Sequence, residues 1–118
     1  MSDRTPKREW KLYIDDMLQF SEKVLRYTQG QTKADFLRDE LRYDATIRNL
    51  ELIGEAATHI PDPIRKQHPD IPWRQIVATR NQIIHNYLGI DNDTIWSIIT
   101  DDLPGLMSQL DRIRQEPD

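Results

Sequence analysis

No proline interrupts the chain between Pro6 and Pro61, and only 4 glycines occur in its 118 residues. Sandwiches and barrels need turn formers every ten residues or so, and a chain this poor in them is restricted to long helices. Of the remaining five prolines, those at 63, 69, 72 and 104 fall where helical patterns should stop, start or bend, and Pro117 lies next to the carboxyl terminus. After a loose lead-in from Met1 to Lys7, with Pro6 suited to a first turn, Trp10, Ile14, Met17, Leu18 and Leu25 recur at spacings of three, four and seven. That is one face of an amphipathic helix running to about Thr28.

Gly30 is placed to cap that helix, and Thr32 with Asp35 three residues on forms a variant of the capping box. The pattern then predicts one long helix from Lys33 to about His59, with Phe36, Leu37, Leu41, Ile47, Leu50, Ile53, Gly54 and Ala57 facing inward. Gly54 in mid-helix costs roughly 1 kcal/mol against Ala, so close approach of another backbone is its natural reason. One short turn is expected at Ile64 to His68, the last a loop residue. A third helix should start at Pro72 or Trp73 and bury Trp73, Ile76, Val77, Ile83, Ile84 and Leu88. A fourth, capped by Asp91 or Asn92, carries Ile95, Trp96, Ile98, Ile99, Leu103, Leu106, Leu110 and Ile113, and Pro104 kinks or splits it. Arg112 to Asp118 should fray. The expected fold is all-α: a single domain spanning 1–118, an antiparallel four-helix bundle with a short extra helix or kink.

Charge enters because it limits the partners. A formal net charge of -4 argues against a protein that grips nucleic acid over its whole surface, so an RNA site must be locally basic or of modest affinity, and the acidic body equally suits a basic protein partner. There is no cysteine, which removes disulfides and thiolate metal sites and suits a reducing compartment. The amino terminus lacks the apolar run of a signal peptide, and no stretch is long and apolar enough for a membrane span. A cytoplasmic protein is expected.

The densest chemistry lies in Arg80-Asn81-Gln82-Ile83-Ile84-His85-Asn86-Tyr87, just before Gly89. An imidazole can take a proton at neutral pH, and a guanidinium suits an anionic phosphate oxygen. Together they could cleave RNA without a metal: His85 draws the proton from a ribose 2′-hydroxyl, Arg80 stabilises charge growing on the phosphate, and a 2′,3′-cyclic phosphate results. DNA, lacking that hydroxyl, would resist. Spacing is not kind to this idea, since His85 points roughly 140° around a helix from Arg80, while Asn81 and His85 stack at i, i+4. A long arginine can bend across, or a second copy of the chain can supply the missing group. The plainer reading, polar residues hydrogen-bonded for structure at a helix end, stays open on spacing alone. So does a purely anchoring role for the Tyr87 hydroxyl. Arg48 and Glu55, two turns apart with Glu51 between, either line the same cleft or form an exposed ion-pair ladder. Glu55 with His59 is at most half a metal site.

The run Arg80 to Tyr87 resembles the Arg-x4-His-x-Tyr motif of the HepT-like toxins in the HEPN superfamily. Arg48-Asn49-Leu50-Glu51-Leu52-Ile53-Gly54-Glu55-Ala56 resembles the other characteristic segment of those toxins, as do Pro69-Asp70-Ile71-Pro72-Trp73 ahead of the motif and Ile95-Trp96 through Asp102-Leu103-Pro104 behind it. The resemblance runs in order from about Tyr13 to Leu106. It implies a small helical bundle, usually a homodimer with the motif lining a cleft at the interface. It further implies a metal-independent ribonuclease in which Arg80 and His85 are catalytic; beside that pair, Asn81 would position the phosphate or the histidine, and Arg48 and Glu55, if they line the cleft, would orient Arg80 or His85. Its implied partner is a cognate minimal nucleotidyltransferase antitoxin that adenylylates Tyr87. The chain itself would then need no cofactor, because ATP and Mg²⁺ belong to the transferase. The alternative is a non-enzymatic nucleotide- or transferase-binding protein that is merely the substrate of Tyr87 modification.

Overall fold

The computed structural model describes residues 6–86 and 89–117, with only the backbone of 6–8. Helix α1, Pro6–Thr28, buries Trp10, Ile14, Met17, Leu18 and Val24 on one face. Two hydroxyls on that face are satisfied within the helix: Ser21 Oγ donates to the Met17 carbonyl at 2.7 Å and Thr28 Oγ1 to that of Val24 at 2.8 Å. Gly30 follows with φ +76, the left-handed conformation that ends helices cheaply only at glycine. Thr32 and Asp35 then exchange both hydrogen bonds of the capping box, and the Thr32 bonds hold the Asp35 carboxyl below its ordinary range.

The long second helix expected from Lys33 to His59 is two helices. α2, Lys33–Arg38, stops at Asp39, whose backbone is extended at φ -92, ψ 91, and α3, Glu40–Ala57, starts there. Asp39 serves both ends. Its N–H donates to the Asp35 carbonyl, and its carboxylate accepts from the Arg42 N–H at 3.1 Å. A short carboxylate side chain that can bond the backbone ahead of it competes with helix continuation. The break also resets the angular phase, so Leu37 and Leu41 face solvent instead of the core, at 41% and 81% exposure. Phe36 stays fully buried against the rings of Tyr43 and Trp96. Asp39→Ala should remove a cap and cost about 1 kcal/mol in denaturant unfolding; an unchanged midpoint would show that the joint is set elsewhere.

The expected turn at 64–68 is a helix, α4, Asp62–Gln67, and His68 caps its end half-buried. Arg65 of α4 donates to the carbonyls of Ile60 (3.1 Å) and Ala57 (2.7 Å), which satisfies the open end of α3. α5, Trp73–His85, buries Trp73 and Ile83, while Ile84 is 38% exposed and lies outside the core; Leu88 is outside the described residues. α6, Asn92–Ser97, is capped by Asp91 and leads through a π-helical segment, Ile98–Asp102, into α7, Leu103–Gln115. The wide turn is the form taken by the bend expected at Pro104. Leu103 N–H donates five residues back to the Ile98 carbonyl, ahead of a proline that has no N–H of its own to give. The carboxyl end does not fray where expected, because Ile113 is buried and Lys11 donates to the Glu116 carbonyl.

The bundle is organised on α3. α1 packs along one side of α3 and also against α7, and α5 lies against the remaining side of α3. No helix among the described residues is long and apolar enough to cross a membrane.

Candidate active site

The site is built at the contact between α3 and α5. A Cβ on Gly54 would lie 2.2 Å from Arg80 Cβ and 3.0 Å from the Ile76 carbonyl oxygen, so only glycine allows α5 this close. The mid-helix glycine of the sequence is therefore the seat of Arg80. From that seat the guanidinium reaches two partners: Nη2 donates to Glu55 Oε1 at 2.7 Å, and Nη1 donates to Asn81 Oδ1 at 2.8 Å. Nε is buried and has no acceptor among the described residues. A planar fork held at two nitrogens has little rotational freedom left.

The Asn81 bond changes what helical spacing alone implies. Asn81 stands one turn before His85, about 6 Å back along the axis and about 40° around it. The Arg80 fork thus spans two residues, tied through Nη2 to Glu55 on α3 and through Nη1 to Asn81, the residue one turn before His85. His85 is the last residue of α5 and is exposed, and its imidazole has no hydrogen-bond or ion-pair partner among the described residues. Asn86, which closes the helix, returns its N–H to the Gln82 carbonyl.

The other residues singled out in the sequence divide. Glu55 is joined directly to Arg80. Arg48 is not: its Nη1 donates to Glu51 Oε2 at 3.1 Å, and the pair sits one to two turns before Glu55 on α3. Tyr87 lies outside the described residues. The second carboxylate oxygen of Glu55 faces His59 Nε2 at 3.5 Å, and the His59 ring stacks on Tyr13 of α1 with centroids 4.5 Å apart and planes at 12°. The Glu55–His59 spacing was legible as i, i+4, but the Tyr13 stack joins two helices and leaves no local signal. Among the described residues no three His, Asp or Glu side chains gather as a metal site would need.

A groove of about 830 Å³ opens between α5 and the α6–α7 arm, floored by Leu50, Ile53, Ile98, Leu103 and Leu106. None of Arg80, Asn81, His85, Arg48 or Glu55 lines it. The polar site thus occupies one flank of α5 and the apolar groove the other.

Comparison with known proteins agrees with this arrangement of segments. The family described as "Ribonuclease HepT-like" matches residues 17–113. A protein of Thermococcus cleftensis named "Probable ribonuclease HepT" is 36% identical over 109 residues, covering 92% of this chain and 99% of the relative. A protein of Methanocaldococcus jannaschii, named as a candidate RNase, is 31% identical over 108 residues, covering 92% of this chain and 89% of its own. One of Caldanaerobacter subterraneus, named in the same terms, is 34% identical over 104 residues, 88% of this chain and 93% of the relative. No solved structure matches. With a family match across nearly all of α1 to α7 and full-length relatives above 30% identity, the chain belongs to the HepT-like ribonuclease family of the HEPN superfamily.

Proposed function

We propose that this chain is a metal-independent endoribonuclease and the toxin half of a cytoplasmic toxin–antitoxin pair. His85 takes the proton of a ribose 2′-hydroxyl, and that oxygen attacks the adjacent phosphorus. The bond from phosphorus to the 5′-oxygen breaks, the departing oxygen takes up a proton, and a 2′,3′-cyclic phosphate and a 5′-hydroxyl are left. Arg80 stabilises the charge gathering on the non-bridging oxygens. Asn81 and Glu55 position its fork. The single observation that supports this reading is the Asn81 bond, which ties one nitrogen of the Arg80 fork to the residue one turn before His85.

The sequence resemblance supports the rest of the system. Tyr87 is the point of control: its phenol oxygen attacks the α-phosphorus of ATP held with Mg²⁺ by a minimal nucleotidyltransferase, and pyrophosphate leaves. The attached AMP brings an anion to the cation the scissile phosphate needs. Two copies of the chain form the working unit, with the Arg80–Tyr87 motif lining the cleft between them, as the resemblance implies.

One experiment tests the reading. Purified protein is incubated with single-stranded RNA, and separately DNA, in EDTA; a second sample receives the transferase, ATP and Mg²⁺ and is weighed intact. RNA should be cut to cyclic-phosphate ends with DNA untouched, and the mass should rise in AMP units, with no rise in Tyr87→Phe. The net charge of -4 favours a second reading, a non-enzymatic nucleotide- or transferase-binding protein. AMP transfer to Tyr87 with no RNA cleavage would select it.

A further inference from the structure

α5 carries more than the catalytic pair. Arg74, Ala78, Asn81 and His85 are all exposed and fall within about 60° of one another around the helix, a single ridge along its outer side. Arg74 stands eleven residues before His85, or about 16 Å along the axis. It also lines a surface groove of about 660 Å³ with Arg65, Lys66 and Asp62 of α4. Three cations there meet one carboxylate.

The two outermost cations are uncommitted. Lys33, Arg38, Arg42, Arg48, Arg80 and Arg114 each lie against a carboxylate. Lys66 and Arg74 are exposed and have no ion pair or hydrogen bond among the described residues. Arg65 gives its nitrogens to backbone carbonyls, which leaves its charge unneutralised. On a chain of net charge -4, this is a local concentration of positive charge at the far end of the helix that ends in His85.

We propose that Arg74 and Lys66 form a second phosphate subsite, which takes the backbone of the RNA strand a few nucleotides from the bond being cut. It rests on the ribonuclease reading. The strand lies along the α5 ridge, with its scissile phosphate at Arg80 and His85 and its continuation drawn into the α4–α5 groove. The subsite reads charge rather than bases, so it selects for substrate length and not for sequence. It also explains how an acidic protein holds a polyanion: the cations are few and set in line with the site.

The test uses the His85→Ala protein, so that RNA survives the measurement, with and without Arg74→Gln and Lys66→Gln together. Binding of a labelled single-stranded dodecaribonucleotide and of a trinucleotide is followed by fluorescence anisotropy at salt concentrations from about 50 to 200 mM. The double change should weaken dodecamer binding about tenfold and flatten its salt dependence by roughly 1.4 in log–log slope, two contacts at about 0.7 each on a single strand. Trinucleotide binding should move less than about twofold, since it does not reach the groove. A second pair, Arg74→Glu and Lys66→Glu, should weaken the dodecamer further at an unchanged thermal midpoint. Unchanged dodecamer affinity and slope in both variants would overturn the subsite, as would equal weakening of both oligonucleotides or no RNA binding by the parent. If the native protein nevertheless cuts a dinucleotide, the ribonuclease reading stands without the subsite. Length-dependent binding with no cleavage by the native protein would leave the subsite and remove the chemistry.

Discussion

Gly54→Ala should lower the thermal unfolding midpoint by roughly 8 °C, corresponding to about 2 kcal/mol in a chain of this size. On an exposed helix the same change would stabilise, by about 1 kcal/mol. Here the added methyl would lie 2.2 Å from Arg80 Cβ, well inside the 3.5–4.0 Å at which carbon atoms rest, and 3.0 Å from a backbone oxygen that cannot swing away. Neither neighbour is the loose end of a flexible side chain. α5 must therefore lift from α3, which loosens the packing between the two helices where Leu50 and Ile53 of α3 and Ile83 of α5 are buried. Lifting α5 also carries the Arg80 fork away from Glu55, so RNA cleavage should fall at temperatures where the variant is still folded. Calorimetry and a cleavage assay on one preparation check both. A midpoint equal to or above that of the parent would mean that the two helices are not in the contact described.

His85→Ala should lower kcat for RNA cleavage by 10²- to 10⁴-fold, the range lost when a positioned general base is removed. The residue is exposed and has no partner among the described residues, so the thermal midpoint should hardly change. That separation of activity from stability is what makes the measurement decisive. Arg80→Lys provides the contrast. It keeps the charge but not the fork, and one ammonium on a flexible stem cannot reproduce a bidentate grip on Glu55 and Asn81. Activity should drop despite the retained cation. Wild-type cleavage in His85→Ala would remove the imidazole from the mechanism, whatever became of Arg80.

Much of this was legible in the chain. The stops at Gly30 and Pro61, the start at Pro72, the capping box at Thr32 and the bend near Pro104 are local events, decided by backbone freedom and short-range hydrogen bonds. Gly54 announced a close approach because mid-helix glycine is costly without one. The Arg80–Tyr87 motif marked the candidate site because polar groups gathered beside apolar ones are expensive unless used. The misjudged places share a cause. Helix periodicity carried straight through Asp39 put Leu37 and Leu41 inside, when one residue leaving helical geometry was enough to turn them out.

By itself, then, the sequence determined most of the helix ends, most of the residues that face the core and which segment holds the candidate reactive groups, since these follow from neighbours within about one turn. Tertiary structure alone decided which partner each long side chain takes. Arg48 goes to Glu51, Arg80 to Glu55 and Asn81, and Arg65 to the end of α3, because a flexible cation settles on whatever acceptor packing brings within reach. That choice sets the direction of the Arg80 fork, and no spacing in a linear sequence encodes it.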